Sequence, residues 1–152
     1  MMMVASNRID ETDATRAVQI ELRLPSPWGS SDELADALKK SDVGYRFDDG
    51  WLVRESDGWR CAVGGSPHDD EIADIFAYDG RLSKAEVKAL ANHLSKVHLS
   101  GPGGSVKAAR AMVDAATALV KLGAHGVMVD NSAATHSPTD WMSLVSDEKS
   151  NR

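Results

Sequence analysis

Residues 97–130 read VHLSGPGGSVKAARAMVDAATALVKLGAHGVMVD, and the fold turns on the reading of that stretch. Val97 and Leu99 mark a short strand. Ser100-Gly101-Pro102-Gly103-Gly104-Ser105 is a glycine-rich turn, and a helix follows over about 105–122. Its polar residues Lys107, Arg110, Asp114, Thr117 and Lys121 recur at helical spacing and form one narrow stripe; nearly everything else is apolar, mostly Ala. Such a helix is embedded on most sides, because Ala lets neighbouring backbones approach. Gly123 is a natural C-terminal cap. Val127, Met128 and Val129 make a second strand within Gly126–Asp130. Strand, long helix, strand implies a right-handed crossover, so the sequence predicts a C-terminal parallel βαβ unit.

Upstream, residues 17–24 alternate: Val18, Ile20, Leu22 and Leu24 face one way, Gln19, Glu21 and Arg23 the other. That is a half-buried strand, ended by Pro25 and Pro27. A helix over about 31–40 buries Leu34, Ala35 and Leu38. Gly44–Phe47, Trp51–Arg54 and Trp59–Val63 read as an antiparallel meander, separated by Asp48-Asp49-Gly50 and Ser56-Asp57-Gly58, which is hairpin-turn chemistry. A short helix over 67–79 turns Ile72, Ile75 and Phe76 inward and ends at Gly80, and another covers about 84–93. Four helix starts share one device, a Ser followed three residues later by an acid: Ser30 and Glu33, Ser66 and Asp69, Ser83 and Glu86, Ser137 and Asp140. The expected fold is α+β: a single mixed sheet, antiparallel in its meander and parallel in its C-terminal unit, with helices mainly on one face. A ferredoxin-like arrangement with additions accommodates this order. Residues 1–12 and 147–152 read as disordered tails around one domain over 13–146.

Composition bounds the function. The chain has 152 residues, 42% of them hydrophobic and 26% charged, which suffices for one core without disulfides or metals. No apolar run approaches the ~20 residues that span a bilayer, and the N-terminus lacks the apolar centre of a secretory signal. With one cysteine, Cys61, no internal disulfide forms, so the expected compartment is the cytoplasm. Net charge is −6, unevenly spread: residues 1–80 carry −9 and residues 81–152 carry +3. Such asymmetry steers partners of opposite sign, or simply keeps the surface solvated. Nucleic acid is not an expected partner, because the aromatics are interleaved with acids.

Two candidate sites emerge. If the crossover is parallel, loops 100–105 and 130–137 leave the sheet at one edge, where α/β units bind ligands. Gly103, Gly104 and Ser105 would offer backbone N–H groups at a helix start, with Lys107 and Asn131 nearby, and an anion would rest there. Asp130, Ser132 and His136 sketch an orienting acid, a nucleophile and a base. Against this, glycines after a strand often only turn the chain, and Asp and Asn bond their own backbone in turns. No Walker or dinucleotide fingerprint survives inspection, since Val106 stands where a glycine is required. His68, His93, His98, His125 and His136 show no i, i+4 zinc spacing, so neither metal nor cofactor is expected. The second candidate is a partner surface on the acidic half, comprising Trp28, Asp48, Asp49, Trp51 and Asp57. Trp28 lies in a loop after Ser26-Pro27 and is the tryptophan expected to be exposed; Trp51 and Trp59 are expected to pair across adjacent strands, and Trp141 to pack the last helix.

The blocks Leu99–Ser105, Gly126–Ser132, His136-Ser137 and Trp141 resemble the C-terminal block of a group of small bacterial hypothetical proteins of unknown function. The resemblance covers about a third of the chain and implies bacterial origin, with no activity attached. The expected function is a non-catalytic protein-binding domain, for example an immunity protein that neutralises a basic toxin. The alternative is a small enzyme or ligand-binding domain built on loops 100–105 and 130–137.

Overall fold

Clean alternation in the first strand and long helical periodicity near the C-terminus both survive in three dimensions. The computed structural model describes residues 19–130 and 132–150, excepting the side chains of the last three. In chain order the elements are β1 (Gln19–Ser26), α1 (Ser31–Lys40), β2 (Tyr45–Asp48), β3 (Trp51–Arg54), β4 (Arg60–Pro67), α2 (Ile72–Ala77), α3 (Lys84–Ala91), β5 (Ser95–Pro102), α4 (Val106–Leu122), β6 (Val127–Val129), β7 (Ala134–His136) and α5 (Pro138–Ser150). The predicted tail at 1–12 lies outside the described residues, whereas α5 continues into the stretch expected to fray.

The strands form one open sheet in the order β2-β3-β4-β5-β1-β6-β7, and every neighbouring pair is antiparallel. This corrects the expected parallel βαβ unit. β5 and β6 do run in the same direction, since both are antiparallel to β1, but β1 lies between them. The helix length of a crossover reveals that two strands run alike; it does not reveal a third strand inserted between them. β1 and β4 are related in the same way about β5.

One sheet face is covered by α1, α4 and α5. Its core comprises Leu22, Leu24, Leu52, Cys61, Val97, Leu99 and Val127 from the strands, with Leu34, Leu38, Met112, Leu119 and Trp141 from the helices. Each such side chain stabilises by about 1.5–3 kcal/mol when fully withdrawn from water. Gly101 has no side chain because Met112 and Cys61 occupy the space: a Cβ there would lie 2.5 Å from Met112 Sδ. On the opposite face, α2 and α3 pack a smaller core of Ile72, Ala73, Phe76 and Leu90 against Met128. Burial pushes the Cys61 thiol up to about 12, which makes it an inert core group.

Three of the four predicted caps form. Ser30, Ser83 and Ser137 accept the backbone N–H of Glu33, Glu86 and Asp140. Glu86 returns the bond to Ser83 N–H, completing a capping box. Ser66 caps nothing. β4 extends through Ser66 and Pro67, and Asp69 instead accepts the Glu71 N–H in front of α2. That shift leaves Ile75, expected inward, 44% exposed. Pro25 likewise does not end β1: its missing N–H lies on the β6 side, below where β6 begins, while its C=O accepts His125 N–H at 2.7 Å.

The polar stripe of α4 is solvated only in part. Thr117 is buried beneath α5, where Oγ1 donates to Val113 C=O and accepts the Trp141 indole N–H at 3.0 Å.

Candidate functional site

The largest of the described clefts, about 850 Å³, lies where the β2–β3 turn, the N-terminus of α1 and the far end of β4 meet. Local sequence builds each wall. Asp49 and Gly50 take positive φ (45° and 86°), the two-residue turn whose twist suits a tight hairpin. That turn brings Phe47 and Asp49 to one side. Ser30 starts α1 and aims its first turn, including Asp32 and Leu34, at the other. The loop at 55–58, closed by Arg54 N–H to Trp59 C=O at 2.7 Å, sets Trp51 opposite Ala62. β4 therefore runs on past β3, and Gly64, Gly65, Ser66 and Pro67 line the cleft. Trp28, Leu34, Phe47, Val63 and Val97 form an apolar floor, and Leu94, 55% exposed, stands at the mouth. Among the described residues the ionisable lining groups are Asp32 and Asp49. The volume is within the range of sites that hold a small ligand or an anchoring side chain.

Of the partner residues read from sequence, Trp28 and Asp49 meet in this cleft, and Asp48 adjoins it at the end of β2. Trp28 is only 7% exposed, because it forms floor rather than a loop tip; its C=O accepts the Ser95 hydroxyl at 2.6 Å. Trp51 lies on the other sheet face beneath Arg60, whose guanidinium is 3.9 Å from the ring centroid. Trp59 is over the helix-covered face with Arg54, so the two tryptophans do not pair. Asp57 closes the 55–58 loop. It accepts from Arg54 at 2.8 and 3.0 Å and from Trp59 N–H, and the Arg54 hydrogen bonds pull its carboxyl down to about 2.

The C-terminal constellation is spread out. Asp130 pairs with Arg23 at 3.2 Å on the open sheet face. His136 lies at the far end of β7, opposite Val127, and its Nδ1 is 2.7 Å from Asp140 Oδ2 with the ring tilted against Trp141. The Ser132 hydroxyl accepts Ala134 N–H, and Asn131 is outside the described residues. Loops 103–105 and 130–133 do leave the same end of the sheet, but β1 lies between their strands and β5 runs on to Gln19 where β6 stops at Leu22, which separates them both across and along the sheet. Ser100, Gly101 and Pro102 belong to β5; Ser105 spends its hydroxyl capping α4 on Ala108 N–H, Gly104 takes positive φ, and Lys107 is exposed.

Thr135, Ser137 and Asp140, but not His136 itself, line a second cleft of about 570 Å³, formed by the α2–α3 connection and the start of α5. Arg81 there bonds Asp79 at 2.6 Å and approaches Asp140 at 3.9 Å, above Phe76 and Leu82.

A histidine clip, not foreseen from sequence, holds the chain between β4 and α2. The His68 and His93 rings stack at 4.2 Å. His93 is buried; Nδ1–H donates to Leu90 C=O and Nε2 accepts Asp69 N–H, so the ring is held neutral, and burial lowers its pKa. His68 donates to His93 C=O and to Asp70, which raises its pKa. Elsewhere Ser66 Oγ lies 2.8 Å from His98 Nε2 on the open face. Among the described residues, no group of three or more His, Cys, Asp or Glu is placed to hold a metal ion, and no helix is long and apolar enough to cross a membrane. The free end of β4 was missed in the sequence, although the Gly-Gly-Ser-Pro run beyond the hairpin register was its signal. Comparison of the chain with protein-family models, with curated proteins and with solved structures returned no match.

Proposed function

We propose that the chain is a non-catalytic protein-binding domain of a bacterial cytoplasm, whose docking site is the cleft between α1, the β2–β3 turn and the end of β4. The inner strands β4-β5-β1-β6, with two crossovers that each straddle a strand, support a ferredoxin-like core with an added hairpin and an added edge strand. The observation that carries the functional reading is the pairing of an apolar floor with a rim whose ionisable groups, among the described residues, are both acidic. An apolar side chain gains its burial there, while Asp32 and Asp49 select a partner that flanks it with Lys or Arg. A basic toxin held by its immunity protein is the partner class that this reading favours.

The test is association with the basic protein encoded beside this gene, followed by stopped flow across salt. The association rate is expected to fall as salt rises and to fall severalfold in Asp32→Asn/Asp49→Asn. Leu94→Asp, at an exposed position, is expected to raise the dissociation rate. A salt-independent rate, or no complex, refutes the reading.

One observation favours a second reading, ligand binding or catalysis at the smaller cleft: Asp140 orients His136 at hydrogen-bond distance. This keeps His136 from the sequence-derived site as the group behind Asp140, the carboxylate that lines the cleft opposite Asp79–Glu86. Perturbation of the His136 ring resonances by a metabolite mixture, lost in Asp140→Asn, is its signature.

A further inference from the structure

Gly65 carries a backbone N–H and C=O that face away from β5, and among the described residues no strand lies beside them. The register fixes this. Val63 N–H donates to Gly50 C=O at 2.9 Å, so residue 63 points its backbone groups toward β3. Alternation then turns Gly64 and Ser66 toward β5, opposite His98 and Lys96, and turns Gly65 and Pro67 the other way. The β3–β4 ladder begins at Trp51 opposite Ala62, and Asp49-Gly50 turn the chain away. Beyond that turn lies the cleft.

We infer that the cleft takes an extended segment of the partner protein as a short added β-strand along Gly65–Pro67, with an apolar side chain on the floor and a Lys or Arg between Asp32 and Asp49. This rests on the docking reading of the cleft and specifies how the partner is gripped. Gly65 supplies one donor and one acceptor and Pro67 a further acceptor, the pattern of strand addition to a free sheet edge. Gly65 presents no side chain, and a Cβ built there would meet the Lys96 C=O at 3.5 Å, an ordinary contact, so residue 65 does not crowd the edge. Charge selects the occupant. Among the described residues the ionisable lining is two carboxylates, which repel an acidic segment and disfavour a second copy of this chain, whose own Asp32 and Asp49 would face these across a shared edge.

The probe is a mixture of blocked hexapeptides with Arg or Lys at alternate positions and Val, Leu or Phe between them, added to the full chain at millimolar total concentration. Amide NMR and hydrogen exchange are the readouts. The inference expects shifts at Phe47, Asp49, Gly65 and Leu94, and at least tenfold slower exchange of the Gly65 amide. It expects affinity to fall about tenfold in Gly65→Pro and when the probe's amides are N-methylated, and to be kept in Gly65→Ala. Cleft shifts that ignore both Gly65→Pro and N-methylation overturn strand addition while leaving the docking site standing. Absence of any shift in the cleft overturns both. Slow Gly65 exchange without peptide, together with a dimeric sedimentation coefficient, overturns the inference in favour of a second copy.

Discussion

Two adjacent glycines should respond very differently to the same substitution. Gly64 directs its N–H to β5, in register with His98, whereas Gly65 directs its N–H to the open cleft. Proline at 64 deletes a ladder bond worth about 0.5–1.5 kcal/mol and leaves the opposing carbonyl without a donor, a further cost of about 1–3 kcal/mol. The pyrrolidine ring also presses into β5. The total is about 2–4 kcal/mol. Proline at 65 deletes an N–H that no described strand uses. It restricts residue 64 to extended backbone, which β4 already adopts, and it lowers unfolded-chain entropy by about 0.4–1 kcal/mol, offset by adjustment of φ. Its net effect is within about 1 kcal/mol. The chain already tolerates this device two residues on, since Pro67 has the parity of Gly65 and pairs with Ser95. Urea unfolding followed by circular dichroism reads the difference: with a slope of roughly 2 kcal/mol per molar, the midpoint for Gly64→Pro drops by about 1–2 M and that for Gly65→Pro stays within about 0.5 M. Equal losses, or a larger loss at 65, would refute the register argument and the free edge with it.

Thr117→Val preserves shape but removes the acceptor of the buried Trp141 indole N–H, so it should cost about 1–3 kcal/mol, and almost nothing in a Trp141→Phe background; a double-mutant cycle by urea unfolding that shows no coupling contradicts this. Gly126→Ala places a Cβ 2.6 Å from the Phe76 ring and 3.0 Å from the His136 C=O, so thermal unfolding should report a loss of about 1–3 kcal/mol by overpacking. Burial lowers the pKa of His93, His98 and His125, so the unfolded chain binds their protons first and stability falls as pH drops below about 6.5. His68 is raised and works the other way, its contribution being present below about 6.5 and lost as pH rises through its folded value; urea midpoints that are flat or rise from pH 7 to pH 5 would contradict the three-to-one balance.

Local chemistry was legible where one residue type serves one purpose. Ser83 and Glu86 make their capping box, Gly123 caps α4 at φ 126°, and Asp49-Gly50 turn the hairpin. What escaped was decided by partners distant in sequence. Ser66-Pro67 has the composition of a helix start, yet β5 is longer than the apolar residues Val97 and Leu99 suggest, and it draws β4 out to Pro67. The insertion of β1 between β5 and β6 leaves no mark on either strand. β7, a three-residue strand, lies in a stretch whose Asp, Asn, Ser and Thr read as a loop, and its pairing with β6 sends His136 to the opposite end of the hairpin from Asp130. For the candidate site, residue types were readable and their grouping was not: Trp28 and Asp49 converge, while Trp51 and Asp57 serve the other sheet face and the neighbouring turn.

An unpaired sheet edge is a hazard that chains ordinarily blunt with charge, proline or cover. The end of β4 shows one such device, Pro67, placed to limit any added strand to a few residues. Among the described residues no lysine, the usual guard, lines the rim, which carries Asp32 and Asp49 instead. A rim meant only to prevent pairing would gain nothing from an apolar floor, yet Phe47, Val63 and Val97 lie beneath it and Leu94 is left more than half exposed at its mouth. Aggregation control explains the proline; it does not explain the floor or the sign of the charge. An edge open for only a few residues, acidic above and apolar below, discriminates between partners by rejecting acidic chains and excluding long strands, while admitting a short basic segment. That combination is why the docking reading is preferred to a merely protected edge, and why Leu94→Asp and Gly65→Pro, one altering the floor's mouth and the other the backbone, separate the two contributions to binding.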